Sequence, residues 1–249
     1  MLQPLYRRTR TTKTMSPSAR LSFLPILFRR AYVRTVSYAA LVSVCTLTCT
    51  ACVATFSPPS ELMSSAGQQS IHGRMGRGQA DTLRQGDFSL RSIRTGLVAV
   101  SGKETAQVCE VGFEFSYVHG LQNTWIGTCR TSARLERGAV VAQALDCQLK
   151  PLAGKPFTIR LSGTQTALKG ELGTSVSQYV IAAAEAAPAH VVLKSQGLAV
   201  LAADLSRPGR VWTSSELSRE EAPVLSAVPL ILALYYDRVS PRRICIGDG

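Results

Sequence analysis

Seven cysteines and one pair of glutamates are the residues whose types and spacing could do chemistry. Cys49-Thr50-Ala51-Cys52 spells C-x-x-C, the spacing of dithiol redox sites. It ends an apolar stretch, however, and a redox pair needs a folded, polar surround. Cys45, Cys49 and Cys52 have no nearby His or acid to complete a metal shell, so no metal site is expected there. Glu110 and Glu114 are spaced to share one face of a strand, with Gly112 between them. Paired carboxylates can hydrolyse sugars, but on a wet strand face they more simply keep that face from sticking to another sheet. His72, His119 and His190 each stand without a second ligand at metal spacing. Gly173-Thr174-Ser175-Val176-Ser177 lacks the closing glycine of a nucleophile elbow. The stretch 96–104 has one residue too many for a phosphate loop and places Glu104 where Ser or Thr must hold the metal. No catalytic residue, cofactor or metal ligand is expected, and the chain reads as a non-enzyme.

Charge is distributed very unevenly. Residues 1–60 contain no Asp or Glu, and Arg7, Arg8, Arg10, Lys13, Arg20, Arg29, Arg30 and Arg34 make their start basic. An apolar stretch follows, Tyr38-Ala39-Ala40-Leu41-Val42-Ser43-Val44-Cys45, and then small residues. That is the order of a secretory signal. The basic end stays with the anionic inner leaflet, the apolar part enters the translocon, and a peptidase cuts among small side chains. The run 35–56 also reaches the roughly 20 residues a bilayer span needs, so an uncleaved anchor is the second reading. Its many Thr and Ser favour the cleaved one. The leader is long, and Val33 (from a valine initiation codon) or Met15 would start a shorter one. Arg outnumbers Lys by 22 to 6, and Asn occurs once, at Asn123, biases that fit a GC-rich bacterial genome. Setting aside the eight basic residues of 1–51 reduces the net charge from +12 to +4. A nucleic-acid partner is therefore not expected.

Cys49-Thr50-Ala51-Cys52 resembles the lipobox of bacterial lipoproteins. Ala51 and Cys52 match its last two positions, and Cys49 stands where Leu is usual. The resemblance implies cleavage before Cys52 and a lipid on its thiol, which would hold the protein to a membrane.

Beyond the leader (1–51), residues 52–86 are rich in Ser, Gly, Gln, Pro and Arg and read as a flexible tether. Residues 87–239 are one domain's worth of chain, followed by a tail, 240–249. Period-2 patterning dominates the domain. From Cys109 to Tyr117 the odd positions read Cys, Val, Phe, Phe, Tyr and the even ones Glu, Gly, Glu, Ser. About ten short strands joined by tight turns are expected, without the βαβ spacing of a parallel sheet. Ser218-Arg219-Glu220-Glu221 is a capping box opening a helix whose apolar body is 224–236. The predicted fold is mainly β, an antiparallel meander forming a curved sheet or up-and-down barrel, with one C-terminal helix packed on it. The helix body, at thirteen mostly apolar residues, reads as too short to cross a membrane. In layout this resembles lipocalins.

A hairpin centred on Gly138 places Cys129 opposite Cys147, Arg130 opposite Asp146 and Leu135 opposite Val141. A Cys129–Cys147 disulfide follows, given an oxidising compartment. Cys109 faces the core and has Cys245 as its remaining partner. Phe113, Phe115, Tyr117 and Trp125 form an aromatic face that either packs the core or lines a cavity. Together these readings describe an exported envelope protein, periplasmic or facing the periplasm. It would be non-enzymatic and held to the membrane by lipid or by an uncleaved signal, binding another envelope protein or a wall component. The alternative is a lipocalin-like carrier of a small apolar ligand. A cavity between sheet and helix would favour the carrier, and a filled core the binding protein.

Overall fold

The computed structural model describes residues 56–63, 67–73, 82–103, 105–120, 123–152, 155–164, 167–175, 177–183, 190–240 and 242–247. Contacts divide the chain into Met1–Val53 and Ala54–Gly249, and all described residues belong to the second unit. The residues read as a leader, both candidate starts and the candidate lipidation site Cys52 lie outside the described residues.

Among the described residues the strands are β1 (Gly67–His72), β2 (Leu83–Gln85), β3 (Phe88–Thr95), β4 (Ala99–Lys103), β5 (Ala106–His119), β6 (Asn123–Glu136) and β7 (Ala139–Pro151). They continue as β8 (Phe157–Gly163), β9 (Leu168–Gly173), β10 (Gln178–Ala183), β11 (His190–Ser195), β12 (Leu198–Asp204) and β13 (Gly209–Thr213). From β5 onward each strand pairs antiparallel with the next. β1 pairs with β13, and β3 pairs with β5, so the sheet closes on itself. β4 runs on from β3 along the same edge of β5, with Thr95 opposite Phe113 and Ala99 opposite Glu110. The result is an antiparallel barrel twelve strands around.

Alternation puts Cys109, Val111, Phe113, Phe115 and Tyr117 inside, all essentially without exposure. Gly127 lies opposite Phe115, and a Cβ there would sit 2.2 Å from the Phe115 ring. The β6–β7 hairpin turns at Arg137 and Gly138, both left-handed (φ 51° and 79°), the twist-matched geometry for a two-residue turn. Cys129 faces Cys147 and Arg130 faces Asp146. Leu135 faces Val140 rather than Val141, because a bulge between Arg134 and Leu135 shifts the register by one.

Part of the segment read as a tether is barrel wall. β1 and β2 both fall within 52–86 and supply the closing strands. They are polar because their work is done by the backbone: β1 pairs along β13 from Gly67↔Thr213 to Ile71↔Gly209. A short helix, α1 (Ser60–Met63), also precedes them and buries Leu62 completely against Ala199, Ala202 and Trp212 on the outside of the wall.

α2 (Glu221–Leu234) fills the barrel rather than lying against it. Its residues from Leu225 to Leu234 are buried on every side. A helix with no polar face needs apolar surround in all directions. Eight strands leave room only for side chains, and wider barrels enclose a lumen. Here the lumen holds a helix. Helical backbone continues as π-type turns at Tyr235–Val239 and Arg242–Gly247. The whole stretch Glu221–Ile246 is 26 residues, long and apolar enough to cross a bilayer, so the short-length argument fails. Strands cover it instead, with 72% of its apolar window buried.

Candidate functional site

The helix enters the barrel at the end where β5, β9 and β13 finish and leaves it at the other. At its entry the capping box forms as the sequence predicts. The Glu221 amide donates to Ser218 Oγ at 3.2 Å, and the Ser218 amide and hydroxyl donate to Glu221 Oε2 at 3.3 and 2.8 Å. The hydroxyl of Tyr179, on β10, donates to Glu221 Oε1. These contacts hold the Glu221 carboxyl below the usual carboxylate range, with the Tyr179 hydrogen bond the largest cause and Ser218 next. Burial and then the same carboxylate push the Tyr179 phenol up to about 12. Tyr117 seats the first turn from the other side by donating to the Pro223 carbonyl at 2.5 Å.

Between these anchors lies a pocket of ≈ 250 Å³. Its apolar side is Trp125, Phe157 and Val224; its polar side is Thr174, Ser175 and Ser218, with Lys155 and Glu220 on the rim. Trp125 leans on Tyr117 at 5.3 Å, Tyr117 lies 6.1 Å from Phe88, and Phe88 stacks on His119 at 4.4 Å. An aromatic arc therefore follows the barrel rim beside the pocket. His119 Nδ1 is buried there without a hydrogen-bond partner.

The aromatic face expected on β5 divides accordingly. Phe113, Phe115 and Tyr117 are core, while Trp125 is half-buried and reaches the pocket. Glu110 and Glu114 are not brought together for acid–base chemistry. Glu110 is ion-paired to Arg130, and Glu114 stands opposite Arg94. A second, open cleft of ≈ 270 Å³ lies above Gly112, bordered by Arg94, Glu114 and Thr128.

Both disulfides are present: Cys129–Cys147 across β6 and β7, and Cys109–Cys245 joining β5 to the chain after α2. His72 is exposed at the end of β1. His190 opens β11 and has close neighbours. Its Nε2 is 3.5 Å from Asp204 Oδ1, and the Phe56 ring stacks on it at 4.3 Å. Asp204 also accepts from Arg210 Nη2 at 3.1 Å and from the Ser206 amide at 2.9 Å. Burial opposes its ionisation, but Ser206, Arg210 and His190 outweigh that and keep its carboxyl below the usual range. The cluster fastens the 56–63 segment to the outer wall. Among the described residues no group of His, Cys, Asp or Glu is placed to hold a metal.

The chain matches no known family, no curated protein and no solved structure.

Proposed function

We propose that the protein is a non-enzymatic binding protein of the bacterial cell envelope, exported by its basic leader and held to a membrane through Cys52 or the leader itself. The observation that carries this reading is the barrel filled by its own helix and stapled by two disulfides. Such an object is a rigid scaffold, and its disulfides suit an oxidising compartment. The mouth pocket and the open outer cleft are the surfaces through which it would bind. The carrier alternative draws its support from the mouth pocket alone, since α2 occupies the lumen in which an apolar cargo would sit.

Metabolic labelling with a palmitate analogue tests the reading. Label is expected on the membrane-bound protein, whose chain begins at Cys52, and is expected to vanish in Cys52→Ser. A full-length chain recovered from the cytosol with reduced thiols would overturn it.

A further inference from the structure

We infer that the mouth pocket beside Glu221 is a glycan site that takes one pyranose ring, stacked on Trp125 and held at its hydroxyls by Glu220 and Lys155. The inference rests on the binding-protein reading and names its ligand.

Three observations converge on it. Size comes first: pockets for drug-sized ligands run to about 300–1,000 Å³, and this one, at ≈ 250 Å³, suits a single ring. Its two-sided chemistry comes next. A pyranose has one face of C–H bonds and a girdle of hydroxyls, so it needs an aromatic plane together with polar groups around the edge. Trp125 supplies a half-buried indole, fixed from behind by Tyr117 at 5.3 Å. Ser175, Lys155 and Glu220 are exposed around it. Sugar hydroxyls can pair with these groups, which an apolar cargo cannot do. Rigidity is the third. The pocket wall is tied to the helix by the Tyr179–Glu221 hydrogen bond and the Ser218–Glu221 box, so the site is formed before the ligand arrives.

The test uses the oxidised protein in its exported form, from Cys52 onward. Its two tryptophans, Trp125 and Trp212, give two indole N–H resonances, and only Trp125 borders the pocket. The titrants are a β-1,4-linked N-acetylglucosamine hexamer, a glucose hexamer and an alanyl-glutamate dipeptide. A saturable shift of the Trp125 signal is expected with at least one glycan, with Trp212 unmoved. Glu220→Gln and Lys155→Met, both at exposed positions, should weaken binding at least tenfold at an unchanged melting temperature. No Trp125 shift with either glycan, a response to the dipeptide alone, or full affinity in Glu220→Gln and Lys155→Met would overturn the site. Cosedimentation with isolated cell walls separates the two levels. Retention that survives Trp125→Ala keeps the binding-protein reading and removes the sugar pocket.

Discussion

Tyr235, near the end of the central helix, donates its hydroxyl to Oε1 of Gln143 on β7 at 2.8 Å, inside the barrel. Gln143 Nε2 in turn donates to the Thr164 carbonyl at 2.6 Å. With Tyr117 on Pro223 and Tyr179 on Glu221, tyrosine hydroxyls anchor the helix at both ends of its run. Apolar packing alone is non-directional, so these bonds set the depth and rotation of an otherwise greasy cylinder. Tyr235→Phe leaves a buried amide oxygen unpaired, at a cost of about 1–3 kcal/mol. Urea denaturation should show that loss, and adding Gln143→Leu should recover part of it.

The two disulfides should differ in weight. Cys129–Cys147 closes 18 positions and Cys109–Cys245 closes 136. Loop-closure entropy gives on the order of 3 kcal/mol for the first and about 5 kcal/mol for the second. Cys245→Ala should therefore lower the melting temperature more than Cys147→Ala. The Cys129→Ala/Cys147→Ala double variant should match either single. Non-reducing peptide mapping gives the pairing directly, and a bond from Cys129 to Cys109 would contradict the register of β5, β6 and β7.

Leu232, in the last turn of α2, is 1% exposed. Leu232→Asp puts an unpaired carboxylate at the barrel axis and should leave no cooperative thermal transition. If the variant instead kept its midpoint and only lost membrane association, the helix would be acting in a bilayer and not as the core.

Alkali should unfold the protein through its tyrosines. Burial pushes Tyr179 and Tyr236 up to about 12 and raises Tyr117 and Tyr235 as well. A folded-state value above the unfolded one means the native state holds its proton more tightly. That stability is fully present below pH 10, the ordinary phenol value, and is lost as pH rises from there toward about 12. Tyrosinate absorbance should rise together with loss of far-ultraviolet β signal, in one step. At the other end, Glu221 and Asp204 have depressed values, so their contribution holds above the ordinary carboxylate range and fades as pH falls through it. Glu221→Gln should flatten that acid limb.

The central hairpins are written in the local pattern. Cys109 to Tyr117 alternates cleanly, and the Gly138 turn carries its own left-handed requirement, so β5, β6, β7 and the Cys129–Cys147 bond can be read residue by residue. The bulge at Arg134 has no such mark, because an extra residue inside a run of alternating small and polar side chains changes no hydrophobic count. β1 and β2 are invisible for a related reason. Gln69 and Gln85 point inward and bond to each other at 3.2 Å, so the apolar alternation that marks a strand is missing. The helix is legible as a helix, and Leu225 to Leu234, with Ser226 its single polar residue, signals all-round burial. Its place inside a closed wall depends on the β1–β13 pairing, which no local window contains. The mouth pocket draws on residues from Trp125 to Val224 that only closure gathers, so no motif announces it.

Closure also sets an order of events. β1 can pair with β2 early, but it cannot close the barrel until β13 exists, some 140 residues later, and α2 follows every strand in the chain. The hairpins of the meander are local, but the β1–β13 closure joins distant parts of the chain, and such non-local pairing is slow to form. Until the helix arrives, the inward faces of β5 to β13 would enclose a void, so the half-made wall has nothing to condense upon. Synthesis must therefore run past the last strand before the first one is secure. Hairpins such as β5–β6–β7 can pair as they emerge, but the wall they belong to stays open until its last strand and its helix are made.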